Sequence, residues 1–200
     1  MDLFQSGHHS VFEHASFTFA LTNVTRTMLA QITRHRLASF SVRGQRYNEV
    51  DDERTAFAKV DLTKLKPGLD KKDVEEELDG LYFDIMQNYK ELIREGIPKD
   101  DARGILPGNA YTNMTVTMNL RELMHFCNMR MCMRASEEIR WFANKMKIEA
   151  YDATRDPIII SMLVPNCEIH GICPEKKKFS CGKHPTYEDV TSVYHKFKTI

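Results

Sequence analysis

The sequence predicts a helix-rich α+β fold, and three observations carry that prediction. Two short segments, Ser16–Leu21 and Thr112–Met118, alternate between a more apolar and a more polar side, the period of a strand. Val74, Leu78, Leu81, Ile85, Tyr89, Leu92 and Ile93 recur at steps of three and four, the period of a helix with one buried face. Asn119 followed by Glu122 resembles a capping box that opens a second helical stretch towards Ala150. At 200 residues the chain makes one domain, or at most two small ones.

In order, Phe17, Phe19 and Leu21 form one side of the first strand. Thr22 or Asn23 can then cap a helix that runs to about Arg34. Arg34–Tyr47 has small residues and no sustained helical period, and reads as a loop. Asn48–Leu69 is polar, ends in Pro67-Gly68 and reads as a linker. The long helix stops at Gly96 and Pro98. A short helix over Pro98–Leu106 is stopped by Pro107, and the second strand follows. Beyond Pro165 there is little periodicity until Tyr187.

Charge narrows the function. Lys+Arg and Asp+Glu both number 28, so the chain lacks the positive excess of a generic nucleic-acid binder or a polybasic membrane-surface protein. The longest apolar stretch, Ile158–Val164, is too short to span a bilayer. Met1-Asp2-Leu3 opens no secretory signal, and five cysteines, an odd number, imply no oxidising compartment; a reducing cytoplasm is expected.

The neutral total hides an uneven distribution. No acid lies between His14 and Asn48, where Arg26, Arg34, Arg36, Arg43 and Arg46 stand without a lysine. A second block between Lys99 and Lys145 carries Arg103, Arg121, Arg130, Arg134 and Arg140, again without lysine. The planar guanidinium fork matches phosphate, carboxylate and imide oxygens in a way that an ammonium does not. The two blocks suggest a site for small phosphorylated molecules; the alternative is arginine on solvated helix faces, or paired with distant acids after folding. GxGxxG, GxxxxGK[ST] and HExxH are all absent, so a phosphorylated ligand must be held by side chains, not by a glycine-rich turn.

The most informative run is Arg34-His35-Arg36, then Ser39, then Gln45-Arg46-Tyr47. It resembles the signature of the flavin-dependent thymidylate synthases. Other blocks match in the family's order: Gly7-His8-His9-Ser10-Val11-Phe12-Glu13-His14, Gln31, Ala102-Arg103-Gly104-Ile105-Leu106-Pro107, Asn119-Leu120-Arg121, Asn128-Met129-Arg130 and Glu138-Ile139. The chain departs from the pattern at Gly44, where the family has Ser, and at Val42, Ser41, His125 and Arg134.

The resemblance implies a single domain over residues 1–200, short at its N-terminus relative to the family, with a small antiparallel sheet among its helices. It implies a homotetramer with sites shared between subunits. These methylate dUMP to dTMP with FAD, taking carbon from methylenetetrahydrofolate and reducing equivalents from NADPH. By the same resemblance His8, Ser10, Arg34, His35, Arg36, Ser41, Asn119, Arg121, His125 and Arg134 would serve FAD. Gln31, Arg34, Val42, Arg43, Gly44, Gln45, Arg46, Arg103 and Arg130 would hold dUMP, with Arg130 as the catalytic charge at the pyrimidine edge. Neither nucleic acid nor membrane is an implied partner.

At 3.6 residues per turn, Arg121 and His125 share a helix face, while Arg130 lies about 180° from Arg121. Either the helix breaks near Arg130–Arg134, or its opposite faces serve sites shared between subunits. Outside the resemblance, His8, His9 and His14 read equally as strand-edge or core histidines, and the six methionines from Met114 to Met133 as core or interface filler. Cys167, His170, Cys173, Cys181 and His184 could form a zinc site, although the cysteine spacing lacks the CxxC knuckle, and no metal is expected. The reading from another class is a non-catalytic nucleotide- or RNA-binding module stapled by that zinc.

Overall fold

A computed structural model describes residues 2–48 and 56–191. Part of the expected linker, residues 49–55, lies outside the described residues. Helix α1 (Asp2–Gln5) and a 3-10 turn at His9–His14 precede β1 (Ser16–Thr25), α2 (Arg26–Ile32) and β2 (Ala38–Val42). Then come α3 (Lys71–Arg94), α4 (Lys99–Ala102), β3 (Tyr111–Asn119), α5 (Leu120–Arg130), α6 (Glu137–Thr154), α7 (Pro157–Met162) and α8 (Asn166–His170). The three strands form one small antiparallel sheet in the order β1-β3-β2, so the class is α+β as the sequence predicts.

Four local differences have physical causes. First, β1 continues through Asn23, which takes a left-handed φ of 54° and whose N–H donates to Asn113 Oδ1 at 3.0 Å. The cap of α2 is therefore Thr25, whose hydroxyl accepts from the Met28 N–H at 3.0 Å. Second, Ala38–Val42 is a strand and not a loop: residues 38, 40 and 42 are half-buried while Ser39 and Ser41 are exposed. Third, Leu81 is 53% exposed, because the buried stripe of α3 runs instead through Met86 and Tyr89. Fourth, the stretch from Asn119 towards Ala150 is two helices. Ser136 with Glu137 and Glu138 restarts the second one, and the Arg140 guanidinium donates to the carbonyls of Met133 (3.3 Å) and Ala135 (3.2 Å) in the turn.

The chain divides into two compact units. One comprises the chain up to Phe19, Ile32–Ser39 and the chain from Thr117 onward; the other comprises Ala20–Gln31 and Phe40–Val116. In the first, α5, α6 and α7 pack together and bury Leu123, Phe126, Cys127, Ile139, Ala143, Met146 and Leu163. The Cys127 thiol is pushed up to about 12 by burial. In the second, Phe57, Met86, Tyr89, Ala102 and Ala110 form the core, with Tyr82, Ile85 and Leu92 against it. Asp70 caps α3 by accepting from the Lys72 N–H at 2.8 Å, and Gly96 ends it with a φ of 91° that a side chain would strain. Met114, Met118 and Met124 are core residues as expected, whereas Met129 and Met133 are exposed. No helix among the described residues is long and apolar enough to cross a membrane.

Candidate active site

The first unit builds its site on α5. Asn119 caps that helix by accepting from the Glu122 N–H at 2.9 Å. The Glu122 carboxylate, itself buried, receives His35 Nδ1–H at 2.9 Å. On the other ring edge, His35 Nε2 accepts from Arg130 Nε at 3.1 Å. This chain of contacts fixes the tautomer, because Nε2 can accept only when the proton sits on Nδ1. Burial lowers the His35 pKa; the Glu122 hydrogen bond opposes this and the Arg130 charge adds to it. A neutral, oriented imidazole results. Burial, and then the neighbouring Arg34, also pull the Arg130 pKa down, though a guanidinium stays protonated at any working pH.

The ligating atoms of His35, Glu122 and His125 lie within 4.8 Å of one another, a spacing that a metal ion could use. Both nitrogens of His35 are already engaged, however, and one of them receives a cation. His35 and Glu122 therefore act as a hydrogen-bonded pair that continues to Arg130. His125 sits edge-on to His35, with ring centroids 5.6 Å apart.

Two cavities flank α5. One, of about 670 Å³, takes Arg121 together with Phe4, Gln5 and His9. The other, of about 430 Å³, takes Arg130 and Arg134. His125 and Asn128 line both. The helix does break, but only after Arg130, so Arg121 and Arg130 remain on opposite flanks of a single helix. Pairing with distant acids also occurs: Arg121 bonds Glu13, and Arg134 bonds Glu175 at 2.8 Å. His8, Ser10, Arg34 and Arg36 are exposed side chains of this unit.

The second unit holds most of the remaining expected residues. The Arg43 backbone is pinned on both sides. Its N–H donates to Asn113 O at 2.9 Å, and its carbonyl accepts from Thr112 Oγ1 (2.9 Å) and Arg26 Nη2 (3.2 Å). This holds the Val42–Gln45 backbone in place. Arg46 (2.9 Å) and Arg103 (2.6 Å) share the single carboxylate of Asp100. Burial and the nearby Arg103 lower the pKa of Arg26. Two buried donors, Arg26 Nε and Gln45 Nε2, have no partner among the described residues. A cluster with more guanidinium than carboxylate and with orphaned donors suits an anionic ligand. Gln31 and Ser41 also belong to this unit, whereas Arg34 and Arg130 belong to the first.

Two residues here escape a reading of the sequence. Glu122 reads there only as half of a capping box; its signal is a carboxylate among the buried Leu120, Leu123 and Phe126. Arg26 sits in an Arg block, but nothing in the sequence distinguishes it from its neighbours.

A family model described as thymidylate synthase complementing protein matches residues 1–154. The chain belongs to this family. It is 41% identical over 174 residues to a protein of Pyrococcus furiosus named flavin-dependent thymidylate synthase, covering 85% of this chain and 69% of that one. A protein of the same name from Nitratidesulfovibrio vulgaris is 36% identical over 200 residues, 94% of this chain and 76% of the relative. A third, from Geobacter sulfurreducens, is 38% identical over 181 residues, 88% and 72% of the two chains. Membership of the thymidylate synthase complementing family does not favour the non-catalytic module.

Proposed function

We propose that this chain is a flavin-dependent thymidylate synthase that converts dUMP to dTMP, with methylenetetrahydrofolate as carbon donor and NADPH as reductant. The observation that carries the reading is the Glu122–His35–Arg130 chain, which aims the Arg130 guanidinium, with Arg34 nearby, while leaving the histidine neutral. Arg34, His125, Arg121 and Arg134, with His8, Ser10, Arg36, Ser41 and Asn119, would hold FAD, and His35 would position Arg130 beside it; FAD when bound supplies the hydride for reducing the transferred carbon unit. The density of guanidinium fits its pyrophosphate.

For dUMP, Arg46, Arg103, Gln31 and the Val42–Gln45 backbone would take the phosphate and sugar, and the orphaned donors of Arg26 and Gln45 support an acceptor-rich ligand there. Arg130 holds its Nε on His35, and its Nη edge would meet pyrimidine O2 and N3. There it would stabilise charge that builds on the ring as carbon transfer begins. Gly44 offers no side-chain nucleophile, so methyl transfer does not pass through a serine at that position.

The protein is read as a cytoplasmic homotetramer without nucleic-acid or membrane partners. Five free thiols fit a reducing compartment. Exposed Leu81 and Phe83 on α3 and Trp141 and Ile148 on α6 offer apolar surface for further copies. The test combines the protein with FAD, dUMP, methylenetetrahydrofolate and NADPH and measures dTMP. Turnover that requires all four supports the reading; flavin-loaded protein that forms no dTMP overturns it.

A further inference from the structure

Four of the five cysteines line one space. Cys132, Cys167, Cys173 and Cys181 all line the cavity of about 430 Å³, and only Cys127, inside the core, does not. They come from separate places in the first unit: the turn between α5 and α6, helix α8, the segment after it, and the loop after a 3-10 turn at Lys177–Phe179. The last three lie beyond the span that the family model matches. The spacing in the sequence suggests His170 and His184 as co-ligands. The structure puts His170 on the wall of the other cavity, keeps His184 off this one, and brings in Cys132 from 35 residues upstream of Cys167.

The loops that carry these thiols are fixed. The Cys173 N–H donates to Pro185 O at 2.8 Å, and Cys173 bridges to Thr186. Gly171 and Gly182, with φ of 66° and 80°, turn the chain back beside Cys173 and Cys181. Arg134, two residues after Cys132, bonds Glu175, two residues after Cys173, and its guanidinium lies 4.5 Å from the Phe179 ring centroid. Arg130, Arg134 and Lys183 line the same cavity and can balance a four-thiolate group, whose net charge is negative.

We propose that Cys132, Cys167, Cys173 and Cys181 are the four ligands of a metal centre that staples the 165–183 segment to the α5–α6 turn. Four sulfur donors with no oxygen or nitrogen among them select zinc or an iron–sulfur group. The four cysteines line the cavity, and no three of their sulfurs lie within 4.8 Å of one another. Among the described residues, the one trio of candidate ligands within 4.8 Å is His35, Glu122 and His125. A single zinc ion would draw the four thiolates together by side-chain rotation, whereas a larger cluster would span a wider ring, with the same four ligands in either case. Zinc binding releases the thiol protons and transfers no electrons. The centre takes no part in the chemistry itself and would brace Arg134, which on the proposed function faces FAD, through Glu175 and Phe179.

The experiment measures zinc, iron and acid-labile sulfide in the full chain purified without chelator under reducing conditions. The same measurement is made on Cys→Ser variants at positions 132, 167, 173 and 181, and on Cys127→Ala and His184→Asn. One equivalent of zinc, or iron with matching sulfide, that is lost in the first four variants and kept in the last two supports the proposal. Cobalt(II) substitution in the unmutated chain guards against variants that fail to fold: strong sulfur-to-cobalt charge transfer with tetrahedral bands counts the thiolates directly. Reduced, folded protein that takes up neither zinc nor iron and sulfide overturns the proposal. So does metal retained in Cys132→Ser and Cys173→Ser, or four thiols found paired as disulfides.

Discussion

Arg130 Nε is spent on a neutral imidazole, which leaves the rest of its fork for the substrate. Arg130→Ala should keep flavin and fold but slow single-turnover dTMP formation by about two orders of magnitude or more. Arg130→Lys should recover little, because an ammonium cannot bond the histidine and two ring atoms together. Near-normal turnover in Arg130→Ala would reduce the residue to a helix-end contact. His35 carries a pH dependence whose sign follows from burial. Its pKa in the folded chain lies below the ordinary 6.5, so the unfolded chain binds the extra proton first. The contribution of His35 to stability is complete above pH 6.5 and is lost as pH falls through that value towards the folded pKa. Imidazole NMR should place the His35 midpoint below 6.5, and Glu122→Gln should move it lower still by removing the carboxylate that raises it. A midpoint at or above 6.5 would show the ring protonated and Arg130 facing elsewhere. At Gly44 the φ is not positive and an added Cβ meets nothing within 4 Å, so serine fits without strain. Gly44→Ser should preserve or tighten dUMP binding in calorimetry; marked weakening in a folded variant would mean the loop depends on the bare backbone.

The start of α2 shows how closely one element depends on another. Thr27 N–H and its hydroxyl both donate to Gly108 O, at 2.9 Å and 3.0 Å, and a Cβ on Gly108 would come within 2.8 Å of that hydroxyl. Gly108→Ala should therefore push Thr27 aside and cost about 1–3 kcal/mol in thermal unfolding, with weaker dUMP binding through Arg26 next door. An unchanged melting temperature would show that the turn gives way freely. At this scale the sequence was legible wherever a period runs long. Helix α3 and strand β3 stand within a few residues of where their patterns place them. Strand β2 escaped because five residues of alternation sit among serines and next to glycine, where turn chemistry speaks louder than the period. The α5–α6 break was one of two options that the facing of Arg121 and Arg130 left open; no proline or glycine marks it, and Ser136-Glu137-Glu138 is its local signal. The Glu122–His35 contact joins residues 87 apart, and no local pattern encodes such a pair.

For the whole molecule, the arginines of the first block serve both compact units, and large apolar side chains stay exposed on α3 and α6. If further copies complete the flavin site, dilution to monomer should release the flavin, read by fluorescence alongside light scattering. A monomer that holds FAD with undiminished affinity would make the site self-contained. The cysteines sort into two populations, and that division has a kinetic consequence. Cys127 has no exposed surface and a thiol pushed up to about 12, so almost none of it is thiolate at neutral pH. Alkylating reagents reach it only when the packing of α5 against α6 opens. Its modification rate is thus a clock for the breathing of the core, running inside the native protein without any introduced probe.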